Sequence, residues 1–173
     1  MLIPDDLETP AVVVDTDRLE ANLARMAATG MASGVALRPH AKSHKTLEIA
    51  RQQLAHGAPG LTVATLAEAE AFAAGGCPSV FIAYPLWAGS ASRPERIKAL
   101  RSLTDLRVGV DSAAGARALA AAAPGLRVLI EVDSGQHRSG VLPAEVSSLA
   151  ASCLAFGLDV IGAFTHPGHS YGS

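Results

Sequence analysis

The stretch Leu37-Arg-Pro-His-Ala-Lys-Ser-His-Lys-Thr46 closes a short apolar run and opens a helical pattern, and its neighbours repeat that junction along the chain. Residues 11–15, 35–40, 61–65, 80–84, 107–111, 128–133 and 160–166 read as strands. Between them, residues 17–29, 46–56, 67–75, 94–103, 113–123 and 144–156 read as helices. Strand and helix alternating at this cadence, with nearly continuous apolar strands, predict an α/β fold whose parallel sheet is covered on both faces. The punctuation agrees. Thr65-Leu-Ala-Glu68 is a capping box opening one helix, and Gly75-Gly76 closes it. Ser112 is placed to cap the next helix, and Pro124-Gly125 stops that helix.

Two architectures fit this pattern, a doubly wound open sheet and a (β/α)8 barrel. Polar residues collect where strands end: Arg38, His40, Thr65, Tyr84, Asp111, Glu131, Asp133, Thr165 and His166. A barrel builds its active site on that rim from several strands. A dinucleotide fold would concentrate its signal in one glycine-rich turn, but the first run leads into Asp15-Thr-Asp17 with no G-x-G-x-x-G. The barrel is favoured. A complete one takes about 250 residues, whereas this chain has 173 and stops inside Gly168-His-Ser-Tyr-Gly-Ser173. The expectation is one domain over residues 1–173, the N-terminal portion of a barrel.

Composition removes other classes. The formal net charge is -2, so no basic excess is available to neutralise phosphates, and nucleic acid is not an expected partner. No apolar run approaches the roughly 20 residues of a membrane span, and Met1 to Pro10 lacks the basic-then-apolar order of a signal peptide. Cys77 and Cys153 have no metal or redox spacing, which suits reduced thiols in the cytoplasm. Aromatics are only 4%, so alanine and branched aliphatics must fill the core.

Three constellations can do chemistry. In Leu37–Thr46, period-two alternation puts Arg38, His40 and Lys42 on one face. Neighbouring positive charge and partial burial would then depress the Lys42 amine, as a Schiff-base lysine requires. A basic loop that holds an anion or is merely solvated explains the residues equally well. Lys45 is expected in the first helical turn, facing solvent. In Glu131-Val-Asp-Ser-Gly-Gln-His-Arg-Ser-Gly140, a strand delivers Glu131 and Asp133 to the rim and the turn carries Arg138 back over it. Arg138 there can clamp a carboxylate or a phenolate oxygen, or simply pair with Asp133; His137 can be a solvated turn residue. In Phe164-Thr-His-Pro-Gly-His-Ser-Tyr-Gly172, small residues and hydroxyls suit a phosphate held by backbone N–H, Ser170 and Tyr171. His166 and His169 share an H-x-x-H spacing, but no third ligand is evident and no metal is expected here. Tyr84 and Trp87 can wall a pocket, although core packing is the commoner role. His56 reads as a charge at a helix C-terminus.

Together these motifs resemble the fold-type III pyridoxal-phosphate enzymes, whose barrel is of the alanine racemase N-terminal type, and within them the D-threonine aldolase and D-serine dehydratase branch. Thr9-Pro-Ala-Val-Val-Val-Asp15 matches the opening segment, Arg38-Pro-His-Ala-Lys-Ser-His-Lys45 the lysine motif, Glu131–Gly140 the Glu-Val-Asp-x-Gly-x-x-Arg-x-Gly element, and Gly168-His-Ser-Tyr171 a later loop. The resemblance implies that Lys42 holds pyridoxal 5'-phosphate and serves as acid/base at the substrate Cα. It implies that Arg138 approaches the phenolic oxygen or the substrate carboxylate, that His40 and His166 neighbour the cofactor, and that Ser170, Tyr171 and Gly172 lie near its phosphate. Catalytic roles fall to Lys42, Arg138 and His166.

The resemblance further implies a C-terminal β-domain with a divalent-metal site, outside this chain, and places residues 11–15 in that domain's sheet. About six of a barrel's eight strands then remain, a fragment expected to be inactive alone. The implied function is a lyase acting on a D-β-hydroxy-amino acid, by retro-aldol cleavage first and dehydration second, as a cytoplasmic homodimer. A racemase is a further enzymatic reading, and a non-catalytic pyridoxal-phosphate carrier is the reading of another class.

Overall fold

The short apolar runs pair in the order in which the chain makes them. The computed structural model describes residues 6–171. Strands β1 (Leu61–Val63), β2 (Ser79–Pro85), β3 (Asp105–Val110), β4 (Arg127–Val132) and β5 (Asp159–Thr165) form one parallel sheet in the order β1-β2-β3-β4-β5. Helices α1 (Thr16–Ala32) and α2 (Leu47–Ala55) precede it, while α3 (Leu66–Ala74), α4 (Arg93–Leu103), α5 (Ala113–Ala122) and α6 (Val146–Ala155) join successive strands. Right-handed crossovers between sequential neighbours all land on one face. Helices α3 to α6 accordingly pack side by side there, with none of the reversal that makes a doubly wound sheet.

Alternation divides each strand between two environments. Leu106, Val108 and Val110 of β3 and Val128 and Ile130 of β4 are buried in a cluster with Ile97, Leu100 and Leu119 from the helices. Alanines at zero exposure, among them Ala69 and Ala116, let those helices approach closely. The opposite face is concave. Phe81 on β2 and Phe164 on β5 lie three strands apart, roughly 14 Å in a flat sheet at about 4.8 Å per strand, yet their ring centroids are 5.0 Å apart and edge-to-face. Only a strongly curled sheet brings them together. Gly109 lies beneath the Phe164 ring, where a Cβ would sit 2.9 Å from Cζ.

Two expected strands do not form. At residues 35–40 the pairing shrinks to a single bridge, His40 to Thr62. Thr62 N–H donates to Pro39 O at 2.8 Å, and Ala41 N–H to Thr62 O at 2.8 Å. The rung before it would need an N–H that Pro39 lacks. The rung after it is pre-empted, because Ala41 O accepts from Lys45 N–H at 2.9 Å and Ala64 N–H donates to Glu68 Oε2 at 2.8 Å. Residues 11–15 pair with no strand among the described residues; Val12 is 96% exposed, and Asp15 instead caps α1 by accepting from Arg18 N–H at 3.1 Å.

The local stop and start signals hold with one change. Thr65 and Ser112 accept from Glu68 N–H and Gly115 N–H at 3.1 and 3.2 Å. The Glu68 carboxylate reaches Ala64 rather than closing the box on Thr65.

Candidate active site

A cavity of about 320 Å³ opens at the C-terminal ends of the strands, and Arg38, His40, Lys42, Arg138, Phe164 and His166 are among its walls. They come from three separate places: residues 38–42, the loop after β4, and the end of β5 with the loop that follows it. The face that alternation assigns to Arg38, His40 and Lys42 is the cavity face. A cavity of similar size, about 310 Å³, lies between α1 and α2, but it is walled by Leu23, Met26, Met31 and Pro39 and has His56 and Gln53 as its polar side chains. His56 there caps α2 and pairs with Glu20 at 3.0 Å.

The turn after His40 sets the basic side. Lys42 N–H donates to His40 Nδ1 at 3.3 Å, so a neutral His40 carries its proton on Nε2. Burial first, then the Lys42 charge, push the His40 imidazole below its usual range. The Lys42 side chain is exposed, in place of the expected partial burial, and pairs with no carboxylate among the described residues. Lys45 does not enter the helix. It sits before α2 at φ 51° and pairs with Glu68 at 3.1 Å. Arg38 turns away from the rim and donates to Ser79 O and Ser79 Oγ at 3.2 and 3.1 Å.

Asp133 shapes the loop after β4. It accepts from Gly135 N–H at 2.9 Å, His137 N–H at 3.0 Å and His137 Nδ1 at 2.8 Å. The His137 and Gly135 amides, then the imidazole, hold the Asp133 carboxyl down to about 2. That turn, with His137 at φ 55°, swings Arg138 onto the cavity wall. Arg138 pairs with Glu131 at 3.7 Å, not with Asp133. Glu131 is 2% exposed; its Oε1 accepts from Ser139 Oγ at 2.8 Å while Oε2 has no partner among the described residues. Burial pushes its pKa up against the pull of Ser139 and Arg138.

The loop after β5 shows one of the three residues expected to cradle a phosphate. Ser170 Oγ donates to Pro167 O at 2.7 Å within its own loop, and Ser170 is not among the cavity walls. The Tyr171 side chain and Gly172 lie outside the described residues. Among the described residues no three His, Cys, Asp or Glu cluster to hold a metal ion. Tyr84 lines the main cavity and Trp87 a smaller neighbouring one, and both are about half exposed, so neither is core. Gln136 is not among the residues expected from the sequence, yet its Oε1 meets both His166 Nδ1 and Gly168 N–H. Its only sequence signal is a polar amide beside the loop glycine Gly135.

Residues 14–172 match the family model for the alanine racemase N-terminal domain. The chain belongs to that family. Among its alanine racemase-like relatives, D-threo-3-hydroxyaspartate dehydratase of Delftia sp. (strain HT23) is 40% identical over 172 residues, 95% of this chain and 45% of that protein. D-threonine aldolase of Arthrobacter sp is 39% identical over 142 residues, 78% of this chain and 36% of that protein. The crystal structure of D-threonine aldolase from Filomicrobium marinum superimposes with a TM-score of 0.83 at 34% identity, covering 91% of this chain and 44% of that one. The chain thus spans less than half the length of these relatives. The family fold that the motifs implied is the one found. Among the described residues no helix is long and apolar enough to cross a membrane.

Proposed function

We propose that this chain carries the pyridoxal 5'-phosphate site of a lyase acting on D-β-hydroxy-amino acids. The observation that carries the reading is the convergence of Lys42, His40, Arg138 and His166 on one cavity. Its volume of about 320 Å³ suits a small-molecule site. The donor set fits the cofactor: Lys42 offers a primary amine to its aldehyde, Arg138 and Lys42 offer positive charge to its anionic groups, and His40 and His166 offer ring faces. When bound, the cofactor supplies an electron sink for bond breaking at the substrate Cα.

The chain's own residues then divide the work. Lys42 Nζ holds the cofactor and is the base placed to move a proton at Cα. Arg138, anchored by Glu131, reaches the phenolic oxygen or the substrate carboxylate. His40, kept neutral by burial and by the Lys42 charge, adds no second cation to the lysine. Phe81 and Phe164 wall the cavity and limit water.

Retro-aldol cleavage of D-threonine-type substrates is the first reading, in line with the aldolase relatives. Dehydration is the second, favoured by the name of the 40% identical relative. A divalent-metal site in a C-terminal β-domain, a homodimer and a cytoplasmic location belong to the same proposal; two buried, unpaired cysteines support the last. The test is a pyridoxal-phosphate titration of the purified chain, followed by borohydride reduction and peptide mapping. Label on Lys42 is expected; label on Lys45 or none overturns the site. Turnover by the longest available form then separates glycine plus aldehyde from ammonia plus an oxo acid.

A further inference from the structure

We infer that Gln136 is a positioning residue that fixes the tautomer and ring orientation of His166. Gly168 N–H can only donate, so the Gln136 side-chain atom it meets at 3.0 Å is the amide oxygen and not the amide nitrogen. The same oxygen lies 2.8 Å from His166 Nδ1, so Nδ1 must carry the proton. A carbonyl oxygen has two lone pairs, and both donors are accommodated. The neutral His166 ring therefore turns Nε2, unprotonated, away from Gln136.

The contact also needs a glycine at 168. A Cβ at Gly168 would sit 2.6 Å from Gln136 Oε1 and 2.8 Å from His166 Cε1. The missing side chain is what lets the amide reach both partners. Gln136 itself is not a cavity wall, whereas His166 is, so Gln136 acts through His166. It also joins the loop after β4 to the loop after β5, beside the Ser134 Oγ to Thr165 Oγ1 contact at 2.7 Å. The tautomer is read from this geometry; its consequence for a bound ring rests on the pyridoxal-phosphate reading.

The test is the imidazole ¹⁵N–¹H spectrum of the unliganded chain, with His166 assigned by its loss in H166N. The Nδ1–H form is expected. Gln136→Met, equal in length but without the acceptor, should shift His166 toward the Nε2–H form, while Gly168 N–H keeps its 2.9 Å bond to His166 O. Gln136→Glu should restore the Nδ1–H signature. Gly168→Ala should reproduce the methionine variant with Gln136 intact, by pushing the amide aside. Pyridoxal phosphate should bind about fivefold more weakly to Q136M and G168A than to Q136E. An Nε2–H form in the unmodified chain, or an Nδ1–H form that survives Q136M, overturns the inference. If the tautomer behaves as stated while the unmodified chain binds no pyridoxal phosphate, the inference stands and the cofactor reading falls.

Discussion

The two ends of the same strands treat charge in opposite ways. At the N-terminal ends, Asp105 Oδ2 accepts from Arg107 Nη2 at 2.8 Å and Ser79 Oγ at 3.0 Å, while Oδ1 accepts from Arg127 Nη1 at 2.9 Å. Arg38 is tied in through Ser79. At the C-terminal ends, among the described residues, Glu131 keeps one oxygen without a partner, Arg138 stands 3.7 Å from the other, and Lys42 pairs with no carboxylate. Burial opposes ionisation at both carboxyls. At Asp105 the hydrogen bonds from Arg127, Arg107 and Ser79 outweigh it and the pKa falls; at Glu131 they do not and the pKa rises. Barrels place stability at the N-terminal end of the strands and chemistry at the other. Here that division is visible in two carboxyls, Asp105 matched by three donors and Glu131 with one oxygen unpartnered among the described residues.

If the division is real, substitutions at the two ends should fail differently. Lys42→Ala should abolish the borohydride-fixed pyridoxal label while the urea midpoint moves by no more than about 0.5 kcal/mol, because the side chain is exposed. A large loss of stability would mean that Lys42 is structural. Asp105→Ala should lower stability by about 2–3 kcal/mol, since it takes the accepting carboxylate from two guanidiniums and the Ser79 hydroxyl at once, and folded protein should still label at Lys42. Loss of label in folded D105A would erase the distinction between the ends. Thr65→Ala is the control at the C-terminal end. It removes the α3 cap, which accepts from Glu68 N–H at 3.1 Å, and should lower stability by about 1 kcal/mol without touching the label.

What the sequence made legible was local or periodic. Thr65 and Ser112 as caps, Gly75-Gly76 as a stop and the alternation of β3 and β4 each depend on neighbours a few residues away. Period two puts Arg38, His40 and Lys42 on one face, and all three line the cavity, Lys42 from the turn that follows His40. The losses came from competition and from distance. The strand at 35–40 is cut to one bridge by the absent Pro39 N–H, which the sequence displays, and by Lys45 and Glu68 taking the next donor and acceptor, which it does not. Arg138 goes to Glu131 because Asp133 is already filled by the backbone of its own loop. Gln136 joins loops about thirty residues apart, and no spacing rule reports that contact.

The smallest effect tests the comparison by sign. Asp105 has its folded pKa lowered from the usual carboxylate range, so its contribution is present above the unfolded value and is lost as pH falls through the folded one. Glu131 has its folded pKa raised. Between the unfolded value, about 4.3 for a glutamate, and the higher folded value, the native state holds more protons than the unfolded state. Stability from this group therefore falls as pH rises across that window. The stability difference between the unmodified chain and Asp105→Asn should grow from pH 3 to pH 5, and the difference from Glu131→Gln should shrink from pH 4 upward. Urea midpoints measured across that range read both slopes. Two slopes of the same sign would mean that Glu131 is as well paired as Asp105, and that the C-terminal end holds no unmatched carboxyl for a ligand to complete.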